Sequence, residues 1–489
     1  MAEKVSDLII NEWQRGVAQS PYLGFADMRN VNLNEKPGAL LIGFKATKES
    51  ATTITGLPTW IVINPSNGTL YACDTDNKIY TSTDDGDSWS LVSGNTTSAG
   101  SGNGLAVWKD YLFLFRNTAI DVYGPLSGSP AWTNGWKTID TAEHHPAIAT
   151  QDDKLTFGAG RYVGTIQETA STTFLPSDAG TYTFTAQKLT LPAQYKIKCL
   201  AELGLDLKIG TWVGTNLYDA KIGVIFGWDR VSSSYAGSRT IFIQENGINQ
   251  MKSVQGRLWF TAGVKANLYV SEGGAPTLAA EWKMVDHITN SGSNLDPRPG
   301  AIEFHNGKIL VGIGGGAGST PIGVLSYEIR TAAQAIERTI STGSVTGSTK
   351  IGALFSVSGE VFVIGWQDGT GQGADMVGKD GKRSTSYEAY ADSALIRAGS
   401  ASNKRQFSEV EIILGRELAA NQGVRVSWRD ALNDSFTAMG TYDHSTYGAV
   451  SVITAVASVP DIANIQLRVE LTTGSDSTTT PELLEVRLR

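Results

Sequence analysis

Ile79 to Val92 reads I-Y-T-S-T-D-D-G-D-S-W-S-L-V. Short polar side chains such as Ser82 and Asp84 can hydrogen-bond backbone N–H groups inside a turn, and Gly86 tolerates a positive φ there. Trp89 follows at the start of the next apolar run, where its ring can be buried while its N–H finds a carbonyl. The stretch therefore predicts a strand, a braced turn and a second strand. It says how a hairpin is built and carries no chemistry of its own.

The same grammar recurs along the chain: an apolar strand, a tight polar or glycine turn, a second strand, a gap and a third strand. Seven units begin at Trp60 (WIVINPSNGTLYACD), Leu105 (LAVWKDYLFLFR), Ala147 (AIATQDDKLTFG), Cys199 (CLAELGLDLKIG), Gln250 (QMKSVQGRLWFT), Ala301 (AIEFHNGKILVG) and Gly352 (GALFSVSGEVFV). Their spacing, roughly 42 to 52 residues, is the size of a four-stranded propeller blade. The turn slot holds Asn67-Gly68, Lys109-Asp110, Asp152-Asp153, Leu203-Gly204, Gln255-Gly256, Asn306-Gly307 and Ser358-Gly359, mostly residues that reach positive φ cheaply. Ser82, Asp84, Gly86 and Trp89 match the Asp-box pattern S/T-x-D-x-G-x-x-W, which resembles the turns of sialidase-like and related β-propellers. Tyr269 to Trp282 reads as a decayed copy. The expected fold is all-β: a β-propeller of about seven blades over residues 38–388, with six as the alternative because the third and fourth units are the weakest.

Outside the repeats, residues 1–37 read as an extended, assembly-type segment with a short helix over Asp7 to Arg15. Gly38 to Lys45 (GALLIGFK) is expected to close the ring by completing the last blade. Beyond residue 388 the repeat stops. Ile465, Leu467, Val469 and Leu471 alternate with polar residues, as do Leu484, Val486 and Leu488, so residues 389–489 are expected to form a β-sandwich.

Bulk properties bound the function. The chain of 489 residues carries 54 glycines, 18% charged residues and a net charge of −8, which disfavours tight sequence-independent nucleic-acid binding. No apolar run is long enough for a membrane helix, and the short apolar run at the N-terminus does not read as a signal peptide. Cys73 and Cys199 fall in different units and suggest neither a disulfide framework nor a metal site; a reducing compartment, the cytoplasm, is the expected place of synthesis.

Candidate chemistry is sparse. Sialidase-type hydrolysis needs an arginine cluster, a Tyr/Glu pair and an acidic proton donor, whereas Arg116, Arg161, Arg230, Arg239, Arg257 and Arg298 are spread over the units. Asp84-Asp85 and Asp152-Asp153 sit in turns. His144, His145, His287, His305 and His444 do not form a ligand spacing. Gly312 to Thr320 is glycine-rich but joins two strands, which is not the geometry of a phosphate cradle. The expectation is a non-enzyme with no catalytic, cofactor or metal residues, in which Ser82, Asp84, Gly86 and Trp89 are structural.

Three stretches together resemble virion proteins of tailed bacteriophages: the opening G24-F-A-D-M-R-N-V-N-L-N-E-K-P-G-A-L-L, the loosely matched propeller repeats, and the ending I465-Q-L-R-V-E-L-T-T to R489. The combination is similar to the tail nozzle or hub proteins of short-tailed phages. That resemblance implies a hexameric ring of this chain below a portal adaptor and beside other tail proteins. It also implies passage of viral DNA without tight binding, no membrane partner and a place in the virion tail. A glycan-binding host-receptor propeller and a sialidase-like glycoside hydrolase are the alternatives.

Overall fold

In the second repeat, the strand Tyr111–Phe115 sends Leu112 and Leu114 into one buried cluster, and Tyr111, Phe113 and Phe115 into another. A strand that is apolar on both faces has to be covered on both, so successive sheets must stack. The computed structural model, which describes residues 7–17, 25–47, 54–94, 102–213, 222–282, 297–314, 323–339, 350–368, 371–383, 387–400, 402, 404–473 and 478–489, shows that stacking closed into a ring. The molecule is a β-propeller of seven four-stranded blades.

Blade 1 comprises Pro58–Ile63, Leu70–Asp74, Ile79–Ser82 and Ser90–Leu91; blade 2 comprises Gly104–Trp108, Tyr111–Phe115, Ala119–Gly124 and Ala131–Thr138. Blade 3 comprises Ala147–Thr150, Lys154–Ala159, Tyr162–Glu168 and Tyr182–Thr190; blade 4 comprises Tyr195–Leu203, Asp206–Val213, Gly223–Trp228 and Ala236–Ile243. Blade 5 runs Ile248–Val254, Arg257–Ala262, Asn267–Ser271 and Thr277–Ala280, and blade 6 runs Ile302–His305, Lys308–Gly312, Gly323–Glu328 and Gln334–Thr339. Blade 7 has Lys350–Ser358, Val361–Asp368 and Gly371–Val377, completed from the N-terminal side by Ala46–Thr47. The third and fourth repeats, the least regular in sequence, form full blades, so the count is seven and not six. First strands of consecutive blades pack on one another around the ring, and that of blade 7 packs on that of blade 1. Each of the seven interfaces has its own apolar cluster. Fully burying one large apolar side chain contributes roughly 1.5–3 kcal/mol, so the stabilisation sits between blades rather than within them.

The turn slots behave as their residues require. Lys109 and Asp110 both have positive φ, as do Gln255 and Gly256, and Asn306 and Gly307, the signature of type I′ turns. In blades 4 and 7 the slot lies one residue later than the sequence suggests. Leu203 pairs with Asp206 and Ser358 with Val361, so the turns are Gly204-Leu205 and Gly359-Glu360.

Two local expectations are corrected. Gly38 to Lys45 does not form the closing strand: Leu41–Ile42 pairs with Val31–Asn32, and Ala46–Thr47 closes blade 7 against Val377 and Met376. The apolar run marks burial but not the partner, and the carbonyl of Asn30, which accepts from Gly43 N at 2.7 Å, takes the chain first. Asp7 to Arg15 is not a helix either. Leu8–Ile10 pairs with Leu483–Leu488, Trp13–Arg15 makes one 3-10 turn, and Trp13 Nε1 donates to Leu484 O at 2.7 Å. An open sheet edge outbids a weak local helix preference.

The C-terminal strands form close to their expected positions, but not as a separate sandwich. One sheet runs Leu8–Ile10, Leu483–Leu488, Arg405–Leu414, Val452–Ile462. The other runs Phe25–Arg29, Ala389–Ser393, Asn464–Thr472, Gly423–Arg429, Thr437–Asp443, and continues directly from the last strand of blade 6, where Arg29 lies opposite Ile336. The apolar residues of both sheets join the cluster of blades 5 and 6. Residues 7–17 and 25–32 are thus structural strands of this second body, and the 388/389 position is not a boundary in the packing.

Candidate functional site: a braced turn and a basic cleft

Ser82 ends the third strand of blade 1 with its hydroxyl turned into the following loop. It donates to Asp84 Oδ1 at 2.8 Å and accepts from Gly86 N at 2.9 Å. Asp84 in turn accepts from Ser88 N at 3.0 Å and from the Ser88 hydroxyl at 2.5 Å. Partial burial opposes the charge on Asp84, but the bonds from Ser88 and Ser82 outweigh it and hold its carboxyl below the ordinary value. Trp89 Nε1 donates to Gly86 O at 3.1 Å, and its ring lies in the cluster shared by blades 1 and 7. Gly86 has φ +97°, and a Cβ there would stand 2.6 Å from Val363 Cγ2 of blade 7. Asp87 forms an ion pair with Lys379, just beyond blade 7. All four Asp-box residues therefore serve the joint where the ring closes. In the decayed copy Ser271 still binds Gly273 N at 3.0 Å, but Trp282 Nε1 donates to Ala266 O, in the turn before the third strand, instead of to a carbonyl of the loop that Ser271 begins.

Polar braces recur where first strands begin. Thr59 Oγ1 donates to Gly102 O at 2.7 Å, and Asn103 Nδ2 donates to Asn117 Oδ1 at 2.6 Å and Ala142 O at 3.0 Å. Gln250 Nε2 donates to Arg298 O at 2.8 Å and Ala301 O at 3.1 Å, tying blade 5 to blade 6. His145 sits between Gly158 O at 2.9 Å and Asn117 O at 3.2 Å, and burial holds its pKa below the ordinary value. A buried polar group without partners would cost about 1–3 kcal/mol, so these bonds fix how the blades meet.

Beside this ring of braces lies a cleft of about 340 Å³, lined by Thr141, Glu143, His144, Arg161, Tyr195, Lys196 and Trp212 among others. Blade 4 begins here. Lys196 and Lys198 both lie on its first strand, Lys198 at a bulge, and their Nζ atoms stand 5.5 and 5.9 Å from the centroid of the buried Trp212 ring. Arg161, in the turn between the second and third strands of blade 3, stacks on Tyr162 at 5.0 Å and donates to its hydroxyl at 3.0 Å. Lys198 is only 6% exposed and reaches Asn249 Oδ1 at 3.4 Å. His144 is held well below the ordinary histidine value, by burial first and then by the positive charges of Lys198 and Arg298. It stays neutral. Blades 3 and 4 thus direct positive charge toward one place.

The other candidates disperse. Arg116 pairs with Asp121, Arg230 with Glu202, Arg239 with Asp206 and Arg257 with Glu272, which leaves Arg161 and Arg298 near the cleft and no six-membered arginine cluster. Asp152 and Asp153 do join partners across blades: Asp153 pairs with Lys109 at 2.5 Å and Asp152 lies 3.4 Å from Arg230. His305 meets Ser356 at 2.9 Å across blades 6 and 7. Among the described residues no group of three His, Cys, Asp or Glu gathers as a metal site, and Cys73 and Cys199 are free and buried. His287 and residues 315–320 lie outside the described residues. Lys196, Lys198 and Trp212 were not singled out from sequence, although the K-I-K alternation marks a charged face on a strand that should line the ring.

No known family profile matches the sequence, and no curated protein matches it. Among solved structures, the β-propeller domain of Myceliophteria thermophila Cps50 (Swd1) is similar, with a TM-score of 0.44 and 8% identity over 68% of this chain and 99% of that one. YCF48 bound to D1 peptide is similar with a TM-score of 0.45 and 9% identity, over 72% of this chain and 97% of that one. Both are likenesses of fold.

Proposed function

We propose that the chain is a ring-forming structural component of a short-tailed phage tail, a nozzle or hub, with six copies around the axis through which the genome leaves. The observation that supports this reading most is the edge strand Val452–Ile462. Eleven residues long, it pairs on one side only, with Arg405–Leu414. Val456 on it is 86% exposed and Val452 51%, and no charged residue occurs between Val452 and Pro460. Edges are normally guarded by lysine, proline or a bulge; here Pro460 and two register shifts guard the far half of the strand, while the regularly paired, uncharged half Val452–Val456 is left as a template for another chain. Closed rings of identical chains need contacts between two different patches. Exposed Phe242 and Leu278 on the outer strands of blades 4 and 5 offer a second apolar surface for that purpose. The net charge of −8 suits an axial lumen that must not retain DNA.

The glycan-receptor alternative has less support, because Phe242 is the one aromatic ring among the exposed large apolar side chains described. Native mass spectrometry of the purified full chain tests the proposal. It predicts a species of six chains, and a chain that remains monomeric at tens of micromolar contradicts it.

A further inference from the structure

We infer that the cleft between blades 3 and 4 is a binding site for a carboxylate-bearing peptide segment, with Arg161 and Lys196 as the anion-holding residues. Elsewhere in the protein, cations near the ring are consumed by carboxylates: Arg116 by Asp121, Arg230 by Glu202, Lys252 by Glu303, Lys308 by Glu337. Arg161 and Lys196 differ. Their contacts are aromatic, with Tyr162 and Trp212, and neither forms an ion pair among the described residues. Stacking on a ring holds a cation in place while leaving its outward donors open, and guanidinium groups pair with carboxylates through two parallel bonds.

The surroundings favour an anion as well. Lys198 adds charge from below, nine-tenths buried, and His144 is kept neutral, so its ring can donate a hydrogen bond without needing a counter-ion. Glu143 stands at the rim, 3.8 Å from His144 and 62% exposed, free to swing into solvent. At about 340 Å³ the cleft is at the small end of the range for ligand sites, with Tyr195, Ile197 and Trp212 as its apolar wall.

A peptide carboxylate suits this shape better than a nucleic-acid backbone. Phosphate tracking requires a stripe of several exposed Lys and Arg at backbone spacing. Here one exposed and one half-buried cation line a single cleft, on a chain whose net charge is −8.

The test is fluorescence anisotropy of the full chain with a fluorescein-labelled Glu-Gly repeat peptide. A Lys-Gly repeat peptide and a labelled single-stranded oligonucleotide are titrated at the same salt concentration. The acidic peptide should bind saturably. Arg161→Glu and Lys196→Glu should each weaken it at least tenfold, while Lys188→Glu, an exposed charge change on the outer strand of blade 3, should leave it within twofold. Both cleft residues are at the surface, so unchanged thermal melts will show that the variants fold. Absence of saturable binding, equal binding by the cleft variants, or tighter binding of the oligonucleotide than of the peptide overturns the inference.

Discussion

Gly86 is where the braced turn of blade 1 packs against blade 7. Its φ of +97° disfavours any side chain, and the new methyl of Gly86→Ala would have to displace Val363. The substitution should cost about 1–3 kcal/mol, read as a lower urea midpoint. An unchanged midpoint would mean that the turn does not set the joint. Titration gives a second residue-scale expectation. Burial depresses the pKa values of His144, His145 and His305, so the unfolded chain binds protons that the folded chain refuses. Their stabilising share is present above about pH 6.5 and is lost as pH falls. Asp84 and Glu328 are held below the ordinary carboxyl values, against the pull of their own partial burial, by hydrogen bonds that include those of Ser88 and Thr331. Their share is present above about pH 4 and is lost below it. Urea midpoints between pH 7.5 and 3 should therefore fall in two stages. A flat profile from pH 7 to 5 would contradict the burial of neutral histidines.

At the scale of elements, the repeat was legible because the second strands, such as Tyr111–Phe115, are buried on both faces and the turns need Gly, Asn or Asp. A glycine recurring in the second strand, at Gly158, Gly312 and Gly365, went unread in the sequence. A Cβ on Gly158, Gly312 or Gly365 would come within 2.7 Å of Ile197, Ile351 or Pro58, each on or at the first strand of the next blade, so these glycines set how tightly the ring closes. What local pattern could not give was partner choice. Leu8, Ile9 and Trp13 fit a helical stripe, yet the edge of Leu483–Leu488 claims Leu8–Ile10. The apolar run before Lys45 signals burial, yet the chain pairs with itself first and closes blade 7 two residues later. The cleft stayed hidden for the same reason, since its residues come from separate blades. Phe44 lies beside the closing segment, in the cluster of blades 6 and 7 with the Arg383 guanidinium 3.9 Å from its ring. Phe44→Ala should destabilise the protein by about 3–5 kcal/mol, visible in denaturant unfolding, if the N-terminal segment truly holds the ring shut. A loss below about 1 kcal/mol would show that the ring closes without it.

For the whole molecule, the ends of the chain are built into one body that shares a sheet and an apolar cluster with blades 5 and 6. Propeller and C-terminal strands should therefore unfold together, as a single transition seen by both tryptophan fluorescence and far-UV circular dichroism. Two separated transitions would restore an independent C-terminal module. The open half of the edge strand, Val452–Val456, gives the assembly prediction. Val456→Lys places a charge where a neighbouring strand would pair, and should shift the proposed six-chain species toward monomer without lowering the melting temperature of the monomer. Cryo-electron microscopy of phage particles bearing an epitope tag on this chain bears on the proposed role most directly. Six copies of a seven-bladed propeller closed into a ring on the tail axis is the predicted result, and copies found only as peripheral trimers, or none in the particle, would contradict it.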